Sequence, residues 1–592
     1  MREMQYKKPR PLQIKDENNK MAGTDERKAE VITNYFKRMF APDGYNIQIK
    51  EYRPTKMTIP FTGEEVNRAA KRLKNGKSGN GTDTLHAEFI KYADENIHEN
   101  MAVIFNVVAE TGDNPEELQL GVLTPLEKPG KKQKIGGEGD HLRPIMLLSV
   151  LRKILTICLI GRIWDRLKTR IPHEQAAYQG ERCGAEQVLA VKLLLEKAIN
   201  SSDYKVFLSL FDMSKAFDTV NRQKLFEHLE RIMNPDELHL LSIITNFTKV
   251  KVKVNKAFGT QFETLIGIMQ GDCLSALLFI FYLGECLRNE RDGIEGSILI
   301  APKYADDVTY ALRNKETQIE VKRRIPVILE THDLSTNDTK TEEYEIPKPQ
   351  PPPPPRPTME ELVAQKDEKV CWSALDWLVH YEPPPVKDTT PDWTKCKLLG
   401  TLLETEQDFQ KRKVLTMISL KKHSHIFTSK YIDNKRKIKT FHMYVGSVFL
   451  NNTETWAMNQ TISDKINSFH RRLLRYALNI KWPKKMTNVE LYEKTEATCW
   501  SEVIKRRRLN FLGHCMRRHE KTPIRIALAE ALTPTEGKRG RPYHTWLKTV
   551  ANDLKDSNFA INIKHPHETL QTLISITQDR KQWRDIVRAL MQ

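Results

Sequence analysis

Two acidic motifs, each placed directly after a run of strand-forming residues, most constrain what this chain can fold into. Asp212 follows the apolar segment 205–211, whereas Asp306 and Asp307 occupy a tight turn between two further strand-like runs. Because strand ends can bring carboxylates together at one edge of a sheet, the pattern predicts a site for hard divalent cations. Asp212, Asp306 and a backbone oxygen near Met213 are the candidate metal ligands, and Asp307 lies beside them. Such a site suits phosphoryl transfer assisted by two metal ions, whereas two acidic surface turns without chemistry would have no reason to share this setting.

Three residues near these motifs are candidates for nucleotide binding. Phe217 follows Asp212 closely, and its ring would lie under the sugar of a nucleotide and collide with a 2′-hydroxyl group; a core phenylalanine is the alternative. Gln270 and Gly271 belong to segment 267–272, in which glycines let the backbone approach a base or sugar while the amide makes hydrogen bonds. The pattern favours a deoxynucleotide as the substrate.

Basic residues around the motifs are candidates for binding the triphosphate. Lys128, Arg143 and the loop 131–134 are candidate ligands of phosphate oxygens. Lys340 is a candidate to protonate the departing pyrophosphate. A solvated surface charge is the alternative for each of them.

The charge of the chain indicates a polyanionic partner. The 592 residues carry a formal net charge of +18, concentrated in two segments. Residues 411–440 contain ten Lys or Arg against one acidic residue, and residues 501–550 contain twelve against four. Clustered positive charge is typical of proteins that bind the phosphate backbone of nucleic acids. The eight cysteines form no CxxC pair and no long apolar run is present, so the sequence predicts a reducing compartment and no membrane span.

Hydrophobic periodicity predicts a mixture of helices and strands. A long apolar helix is predicted to open at Arg143 and to run through Trp164. Other helices are predicted over 26–40, 184–200, 225–250 and 272–287. The proline-rich run 347–357 favours polyproline II and indicates a spacer or an expanded loop, with a ligand for an SH3-type module as the alternative.

The order of the motifs resembles that of the reverse transcriptases of LINE-type, non-LTR retrotransposons. Two departures leave the catalytic groups in place: Ala177-Tyr178 stands where the family usually has Gly-Phe, and Ala276 stands where it usually has Pro. The resemblance covers about residues 60–480 and rests on the segments LKNGKSGNGTD (73–83), HLRPIMLLSVLRKI (141–154), EQAAYQGERCGAEQVL (174–189), FDMSKAFDTV (211–220), GIMQGDCLSALLF (267–279), YADDVTY (304–310), NDTKTE (337–342) and KCKLLGTLL (395–403).

This resemblance implies an α+β fold of the right-hand polymerase type, with fingers, thumb, an antiparallel palm sheet and a mostly helical, basic C-terminal region. Leu399 and Gly400 would form the primer grip, and Arg143 would touch the triphosphate. The predicted divisions are a partly disordered N-terminal arm (1–59), an N-terminal extension with the fingers (60–200), the palm (201–345), a proline-rich insertion (346–392), the primer grip and thumb (393–480) and the C-terminal region (481–592).

The activity that the resemblance implies is RNA-directed DNA polymerisation. Two Mg²⁺ ions, with Mn²⁺ as the alternative, would assist transfer from a dNTP to a primer 3′-hydroxyl on an RNA template. The expected partners are template RNA, primer or target DNA and dNTPs, without a membrane. No endonuclease domain is visible in this sequence, so that function is expected to be lost or supplied by another chain. Target DNA favours a nuclear location, with the cytoplasm as the alternative.

Two other functions stay open from the sequence. The first is a truncated or domesticated copy that binds nucleic acid without productive catalysis. The second is an RNA-dependent RNA polymerase, which Phe217 disfavours because its ring would collide with a ribose. A primer-extension assay that compares dTTP with UTP separates these alternatives.

The C-terminal region contains a weaker metal-ligand pattern. His514, Cys515 and His519 have a spacing compatible with zinc, but a fourth ligand is missing from the pattern. A basic helix on nucleic acid, with Tyr543 and Trp546 as packing or stacking aromatics, is the preferred interpretation.

Overall fold

The computed structural model describes residues 12–44, 50, 52–53, 55–76, 79, 85–128, 130, 139–246, 248–347, 391–480, 483, 485–555 and 566–591. The loop 131–134 and all but the ends of the predicted insertion 346–392 lie outside the described residues. The domain divisions drawn from the sequence stay a prediction. Among the described helices, none combines the length and the apolar character needed to cross a bilayer.

The described residues form twenty-two α-helices and twelve strands. The helices are α1 (Asp25–Phe40), α2 (Gly63–Lys71), α3 (Ala87–Lys91), α4 (Glu95–Thr111), α5 (Glu116–Gln119), α6 (Val150–Lys168), α7 (Gly184–Asn200), α8 (Arg222–Leu229), α9 (Pro235–Asn246), α10 (Cys273–Cys286), α11 (Lys315–Glu330), α12 (Thr405–Lys422), α13 (Ser424–Thr428), α14 (Asn434–Phe441), α15 (Ser447–Phe449), α16 (Gln460–Ala477), α17 (Asn488–Thr495), α18 (Trp500–Met516), α19 (Pro523–Leu532), α20 (Trp546–Asp553), α21 (Pro566–Gln578) and α22 (Arg580–Ala589). The strands are β1 (Leu120–Glu127), β2 (Leu142–Leu147), β3 (Val206–Phe211), β4 (Lys249–Val254), β5 (Ala257–Phe258), β6 (Phe262–Glu263), β7 (Ile298–Ile300), β8 (Lys303–Tyr304), β9 (Asp307–Leu312), β10 (Glu342–Ile346), β11 (Lys397–Leu398) and β12 (Thr401–Leu402).

The sheet that carries the acidic motifs is antiparallel, as the sequence predicted. Its strand order is β10-β3-β9-β7, and β8 pairs with the first two residues of β9, Asp307 and Val308. Side chains of β3 alternate between two cores because successive residues of a strand point to opposite faces. Phe207 and Phe211 pack with helices α6 and α10 on one face, whereas Val206 and Leu208 pack with α7 on the other. This sheet is therefore buried on both faces.

The C-terminal helices complete the core on the α7 side of this sheet. Side chains from α18 to α22 share one hydrophobic cluster with α7, β3 and β10. Trp546 is fully buried there, and its backbone N–H donates to the Glu196 carboxylate of α7 at 2.7 Å. Its indole N–H donates to the Glu454 carbonyl at 2.8 Å. Trp546 therefore packs inside the protein and does not stack on nucleic acid.

A second, mixed sheet lies on the N-terminal side. Its order is β2-β1-β4-β5, with β6 also on β4, and β1 runs parallel to β4 but antiparallel to β2. Helix α1 covers one face of it through Ile32 and Phe36, which pack with Val250 and Val252. The helix predicted over 26–40 is confirmed here.

The long helix predicted to open at Arg143 is wrong at its start. Leu142 and Met146 are buried while Arg143 and Leu147 are exposed, so this segment has the period of a strand, and it forms the edge strand β2. Proline is tolerated at an edge, where its missing N–H breaks no ladder. The helix begins only at Val150, after the Ser149 side chain accepts from the Arg152 N–H at 3.1 Å.

The single helix predicted over 225–250 is also wrong. Two helices, α8 and α9, are separated by a turn before Pro235, and residues from Lys249 onward join β4. Proline suits the first turn of a helix and ends the preceding one, so the break follows from its chemistry. The helices predicted over 184–200 and 272–287 are confirmed as α7 and α10.

The segment between the primer-grip hairpin and the C-terminal helices has its own aromatic core. Phe449 and His470 stack on the indole of Trp500, each with a ring-centroid distance of 4.3 Å. Burial lowers the pKa of His470 to about 3, so its ring is neutral in this core. A neutral ring can pack among aromatics without the cost of burying a charge.

Removal of Trp546 tests whether the C-terminal helices and the catalytic sheet form one core. We expect Trp546→Ala to lower the free energy of unfolding by about 3–5 kcal/mol, because a fully buried aromatic is lost. Urea unfolding followed by far-ultraviolet circular dichroism measures the change. Tyr431→Ala is the control, since Tyr431 is 99% exposed. A stability equal to that of the control would contradict the shared core.

Candidate active site

The three aspartates of the acidic motifs meet at one edge of the antiparallel sheet. Phe211 pairs with Val308, so Asp212, the residue after β3, lies beside Asp307 at the start of β9. Asp306 occupies the turn between β8 and β9. The register of two neighbouring strands therefore assembles the carboxylates that the sequence singled out.

Mutual repulsion and partial burial distinguish these carboxylates from ordinary surface acids. Partial burial raises the pKa of Asp306, and the charge of Asp212 adds to the rise against the opposing effect of Lys340 and Arg143. Asp307 is an exposed residue, yet the surrounding protein partly removes its carboxylate from water. This desolvation raises its pKa to about 6, and the charges of Asp306 and Asp212 add to the rise. Raised pKa values of two neighbouring acids, Asp306 and Asp307, are the electrostatic setting that a bound divalent cation relieves.

The backbone beside Asp212 supplies a further oxygen. Met213 forms an antiparallel bridge with Thr336, and the hydrogen bonds of this bridge use the neighbouring Asp212 carbonyl and Ser214 N–H, at 2.7 and 2.9 Å. In such a pair the central residue directs its own carbonyl away from the partner strand. Carboxylates plus one backbone carbonyl form an all-oxygen donor set, which fits Mg²⁺ or Mn²⁺.

Lys340 lies directly on the carboxylates. Its ammonium group donates to the Asp212 carboxylate, and both side chains are partly exposed. The short 3₁₀ turn Asp338–Lys340 carries it, and this turn is tied to β3 through the Asn337 N–H and the Asp212 carbonyl. The structure thus brings Lys340 into the same site as the aspartates.

Phe217 lies near the carboxylates on a platform of aromatic rings. It is half-buried, stacks on Phe279 of α10 at a ring-centroid distance of 4.4 Å, and meets the edge of the Tyr178 ring at 6.5 Å. The Phe217 carbonyl accepts from the Ile268 N–H at 2.9 Å. The ring packs at the margin of the hydrophobic core, and part of its surface is exposed.

The segment around Gln270 and Gly271 packs tightly between the Phe217 loop and strand β2. Gly271 has φ +124°, and a Cβ there would lie 2.3 Å from the Met146 carbonyl oxygen, so only glycine fits. The Gln270 carbonyl accepts from the Met146 N–H at 2.7 Å, and its side-chain amide donates to the Asp218 carboxylate at 2.8 Å. Gln270 therefore orients a buried acid next to Phe217, a role that the sequence did not suggest.

The candidate phosphate ligands have different surroundings. Arg143 is exposed on β2 and lies close enough to Asp306 to oppose the rise in the pKa of that aspartate. The Lys128 ammonium group instead donates to the Asp140 carbonyl at 2.9 Å, and its N–H donates to the His141 carbonyl. Arg143 thus faces the carboxylates, whereas Lys128 braces its own loop.

The predicted primer grip forms a tight hairpin next to the acidic turn. Leu399 and Gly400 join β11 to β12, and both have positive φ, 46° and 81°. A Cβ at Gly184 would meet the Leu399 side chain at 3.2 Å and the Tyr304 ring at 3.6 Å, so hairpin and acidic turn meet at the start of α7. The Gly400 carbonyl accepts from the Lys411 ammonium group at 2.8 Å, which ties the hairpin to α12.

Gln175 is a residue of the site that sequence reasoning passed over. It is 1% exposed, and its side-chain oxygen accepts from the Ala305 N–H at 2.9 Å and the Ala177 N–H at 3.0 Å. Its amide nitrogen donates to the Ala305 carbonyl at 3.3 Å. Its place in the motif segment 174–189 could have drawn attention to it. Hydrophobic periodicity, however, could not show that its side chain bonds to the backbone of Ala305.

The C-terminal zinc pattern does not form one site. Cys515 is fully buried in the hydrophobic core, and His519 stacks on His173 at a ring-centroid distance of 4.2 Å. His514 bonds to the Glu186 carboxylate at 2.5 Å.

Among the described residues, Cys183, Glu186 and His514 place ligand atoms within 4.8 Å of one another. The guanidinium groups of Arg182 and Arg518 lie 2.8 and 4.0 Å from the Glu186 carboxylate. This positive charge opposes a cation, so the cluster is better described as a hydrogen-bonded contact between α7 and α18.

Part of this chain matches a known protein family. Residues 129–400 match the family model described as "Reverse transcriptase (RNA-dependent DNA polymerase)". This part of the chain is similar to the reverse transcriptase family. The matched range contains the three aspartates and Phe217 and ends at Gly400 in the turn of the primer-grip hairpin, and the resemblance drawn from the motifs is confirmed for it.

Curated proteins from mobile elements are similar to this chain. They include the probable RNA-directed DNA polymerase from transposon X-element of Drosophila melanogaster (24% identical, 52% of this chain and 34% of the relative) and the RNA-directed DNA polymerase from mobile element jockey of the same fly (25%, 51% and 34%). A third is the retrovirus-related Pol polyprotein from type-1 retrotransposable element R2 of Nasonia vitripennis (26%, 43% and 24%). The chain spans about a third of the length of the first two relatives.

Among solved structures, the chain is similar to apo telomerase from Candida tropicalis truncated from its C-terminal domain. The two share 15% sequence identity, and the match covers 43% of this chain and 56% of that one, with a TM-score of 0.31.

The ionisation of Asp218 predicts a pH dependence of stability. Burial raises the pKa of Asp218 to about 7, although the Gln270 hydrogen bond opposes the rise. The folded state therefore holds this proton more tightly than the unfolded state, and the stabilisation it gives is lost as pH rises towards about 7. We expect Asp218→Asn to be more stable than the wild type at about pH 8, and the difference to disappear at about pH 4.

Urea unfolding of the wild type and Asp218→Asn across this pH range measures the effect. Asp113→Asn is the control because Asp113 is an exposed acid outside the site. A difference between wild type and Asp218→Asn that does not change with pH would contradict the raised pKa.

Proposed function

We propose that this chain is an RNA-directed DNA polymerase of a non-LTR retrotransposon. The observation that carries the proposal is the meeting of Asp212, Asp306 and Asp307 at one sheet edge, with Lys340 and Phe217 beside them. The mobile-element relatives support the class of element, and the reverse transcriptase domain supports the reaction. Its substrates are a dNTP, an RNA template and a primer with a free 3′-hydroxyl.

The carboxylates would hold two Mg²⁺ ions, or Mn²⁺, with Asp212, Asp306 and the Met213 carbonyl as ligands. When bound, such ions lower the pKa of the primer hydroxyl and neutralise charge on the transferred phosphate. The protein's own contribution is to fix these oxygens on two paired strands, so that little reorganisation is needed when substrate binds.

Two basic residues of the site, Arg143 and Lys340, have different roles in binding the triphosphate. Arg143, exposed on β2 across from Asp306, binds phosphate oxygens from the fingers side. Lys340 contacts Asp212 in the free protein, and we infer that it passes to the departing pyrophosphate, where its ammonium group donates a proton. This move begins when the triphosphate binds, so that Asp212 is free to hold its metal before the transfer step.

The remaining residues of the site position the primer end and select the sugar of the nucleotide. Leu399 and Gly400 hold the primer end next to Tyr304, because the hairpin packs against the acidic turn. Phe217 excludes a 2′-hydroxyl, and its stacking on Phe279 supports the ring from one side. Gln270 and Gly271 line the nucleotide pocket next to this ring.

Target-primed synthesis would place the protein with chromosomal DNA, and we propose a nuclear location on that ground. The two basic segments, 411–440 and 501–550, support contact with nucleic acid outside the catalytic site. Target-primed synthesis also requires cleavage of one strand of the target DNA. We assign this cleavage to an endonuclease that the residues described here do not include.

Replacement of one metal ligand tests the catalytic proposal. We expect Asp306→Asn to reduce primer extension by at least about a thousandfold, because metal coordination supplies several kcal/mol of transition-state stabilisation. Template binding should stay within about twofold, since phosphate contacts elsewhere are unchanged. The assay is dTTP incorporation on poly(rA)/oligo(dT) with Mg²⁺.

Asp292→Asn, at an exposed acid of another palm turn, is the matched control. Extension by Asp306→Asn at the rate of this control would remove Asp306 from the metal site. A wild-type protein that binds template and primer but incorporates no dTTP would favour the nucleic-acid-binding alternative.

A smaller residue at the sugar gate should relax the choice of nucleotide. We expect Phe217→Val to lower the ratio of kcat/KM for dTTP to that for UTP by about tenfold to a hundredfold, because space opens for a 2′-hydroxyl. Phe258→Val, on the exposed side of the second sheet, controls for the loss of an aromatic ring. An unchanged ratio would show that Phe217 is not the gate.

A further inference from the structure

The loop between α6 and α7 forms a third wall of the candidate site. Its residue Gln175 hydrogen-bonds both the N–H and the carbonyl of Ala305, so the loop is fastened to the backbone of the acidic turn. The Lys303 N–H donates to the Glu174 carbonyl and the Ala176 N–H to the Lys303 carbonyl, both at 3.0 Å. The positions of loop and turn are therefore coupled.

Tyr178 lies in this loop with an unusual conformation. Its φ is +57°, a backbone region that residues other than glycine and asparagine seldom adopt. The residue is 51% exposed. Exposure of a large aromatic in a strained conformation needs compensation, and such residues concentrate at functional sites. The neighbouring Ala177 is fully buried, whereas the Tyr178 ring lies outside the core and contacts Phe217.

The neighbours of the Tyr178 ring are the groups that would surround a nucleotide sugar. The ring meets Phe217 in a T-shaped contact with an interplanar angle of 88°. Partial burial raises the pKa of the Tyr178 phenol, and the charge of Asp306 adds to the rise, so the ring also lies close to the metal-binding carboxylate. Tyr178 thus contacts Phe217, and its phenol is near enough to Asp306 to be affected by that charge.

The far end of the loop is fastened to the C-terminal helices. Glu181 pairs with Arg580 at 2.7 Å, and Glu186 pairs with Arg182 at 2.8 Å and with His514. A loop held at both ends can carry a side chain in a fixed direction without the entropy loss of ordering it on substrate.

We propose that Tyr178 is a specificity-determining residue whose ring packs on the sugar of the incoming nucleotide and holds Phe217 in its gating position. This inference rests on the proposed polymerase function. The ring, with its apolar face and edge, is the active part; the phenolic hydroxyl is not required. Ring removal opens the sugar pocket from the side that Phe217 does not cover, so both nucleotide affinity and sugar choice depend on it.

Two variants separate ring from hydroxyl. We expect Tyr178→Ala to raise the KM for dTTP about fivefold to tenfold and to lower the dTTP-over-UTP preference by a similar factor, the range for one aromatic contact in a pocket. Tyr178→Phe should keep both values within about twofold, because the ring contact with Phe217 is retained. Tyr92→Ala, an exposed tyrosine of the N-terminal helices, is the matched control.

Nucleotide binding without turnover makes the test independent of the polymerase assay. The dissociation constant of dTTP is measured on the protein bound to poly(rA) and a dideoxy-terminated oligo(dT) primer. Weaker dTTP binding by Tyr178→Ala but not by Tyr178→Phe supports the proposal. Equal dTTP binding by Tyr178→Ala and the wild type overturns it, and so does a loss in Tyr178→Phe as large as that in Tyr178→Ala. Failure of the wild type to extend an unblocked primer would instead count against the proposed function.

Discussion

The pairing of β3 with β9 is the constraint on which the rest of the site depends. With Phe211 opposite Val308, the residues that follow and precede these positions bring carboxylates together at one edge. A slip of one residue would turn every side chain of β3 to the other face and separate the acids. Burial of both faces prevents such a slip, because Phe207 and Leu208 each fill a different core. On the other side of β3, β10 and the turn before it bring Lys340 to the same edge.

The fold holds several acidic side chains in surroundings that disfavour their ionised forms. Burial raises the pKa values of Asp306, Asp307 and Asp218, so their ionised forms weaken the free protein. The surrounding packing offsets this cost through contacts that leave little freedom, such as Gly271 against the Met146 carbonyl. Repulsion among partly buried carboxylates is the electrostatic setting that a divalent cation relieves when one binds.

Sequence patterns predicted the parts of this molecule whose signals are local. The strand before Asp212, helix α7 and the buried helix α10 follow from periodicity alone. The error at Arg143 arose because a six-residue alternating strand and the first turns of an apolar helix share several positions. Contacts across long separations had no local signal, so neither the grip of Gln175 on Ala305 nor the burial of Trp546 could be read from the chain. For the same reason the aspartates could be named in advance, but the surroundings that shift their pKa values could not.

The contact between Glu196 and Trp546 joins residues that are 350 positions apart. During synthesis, the strand that carries Asp212 leaves the ribosome long before the helices that cover its α7 side. Until those helices arrive, that side of the sheet has apolar groups without a partner, and contacts of such long range form slowly. A message truncated shortly before the codon for Trp546 would therefore encode Asp212, Asp306 and Asp307 and still yield an unfinished core. In this protein, an intact reading frame down to the last helices is a condition for folding the sheet that carries the three aspartates.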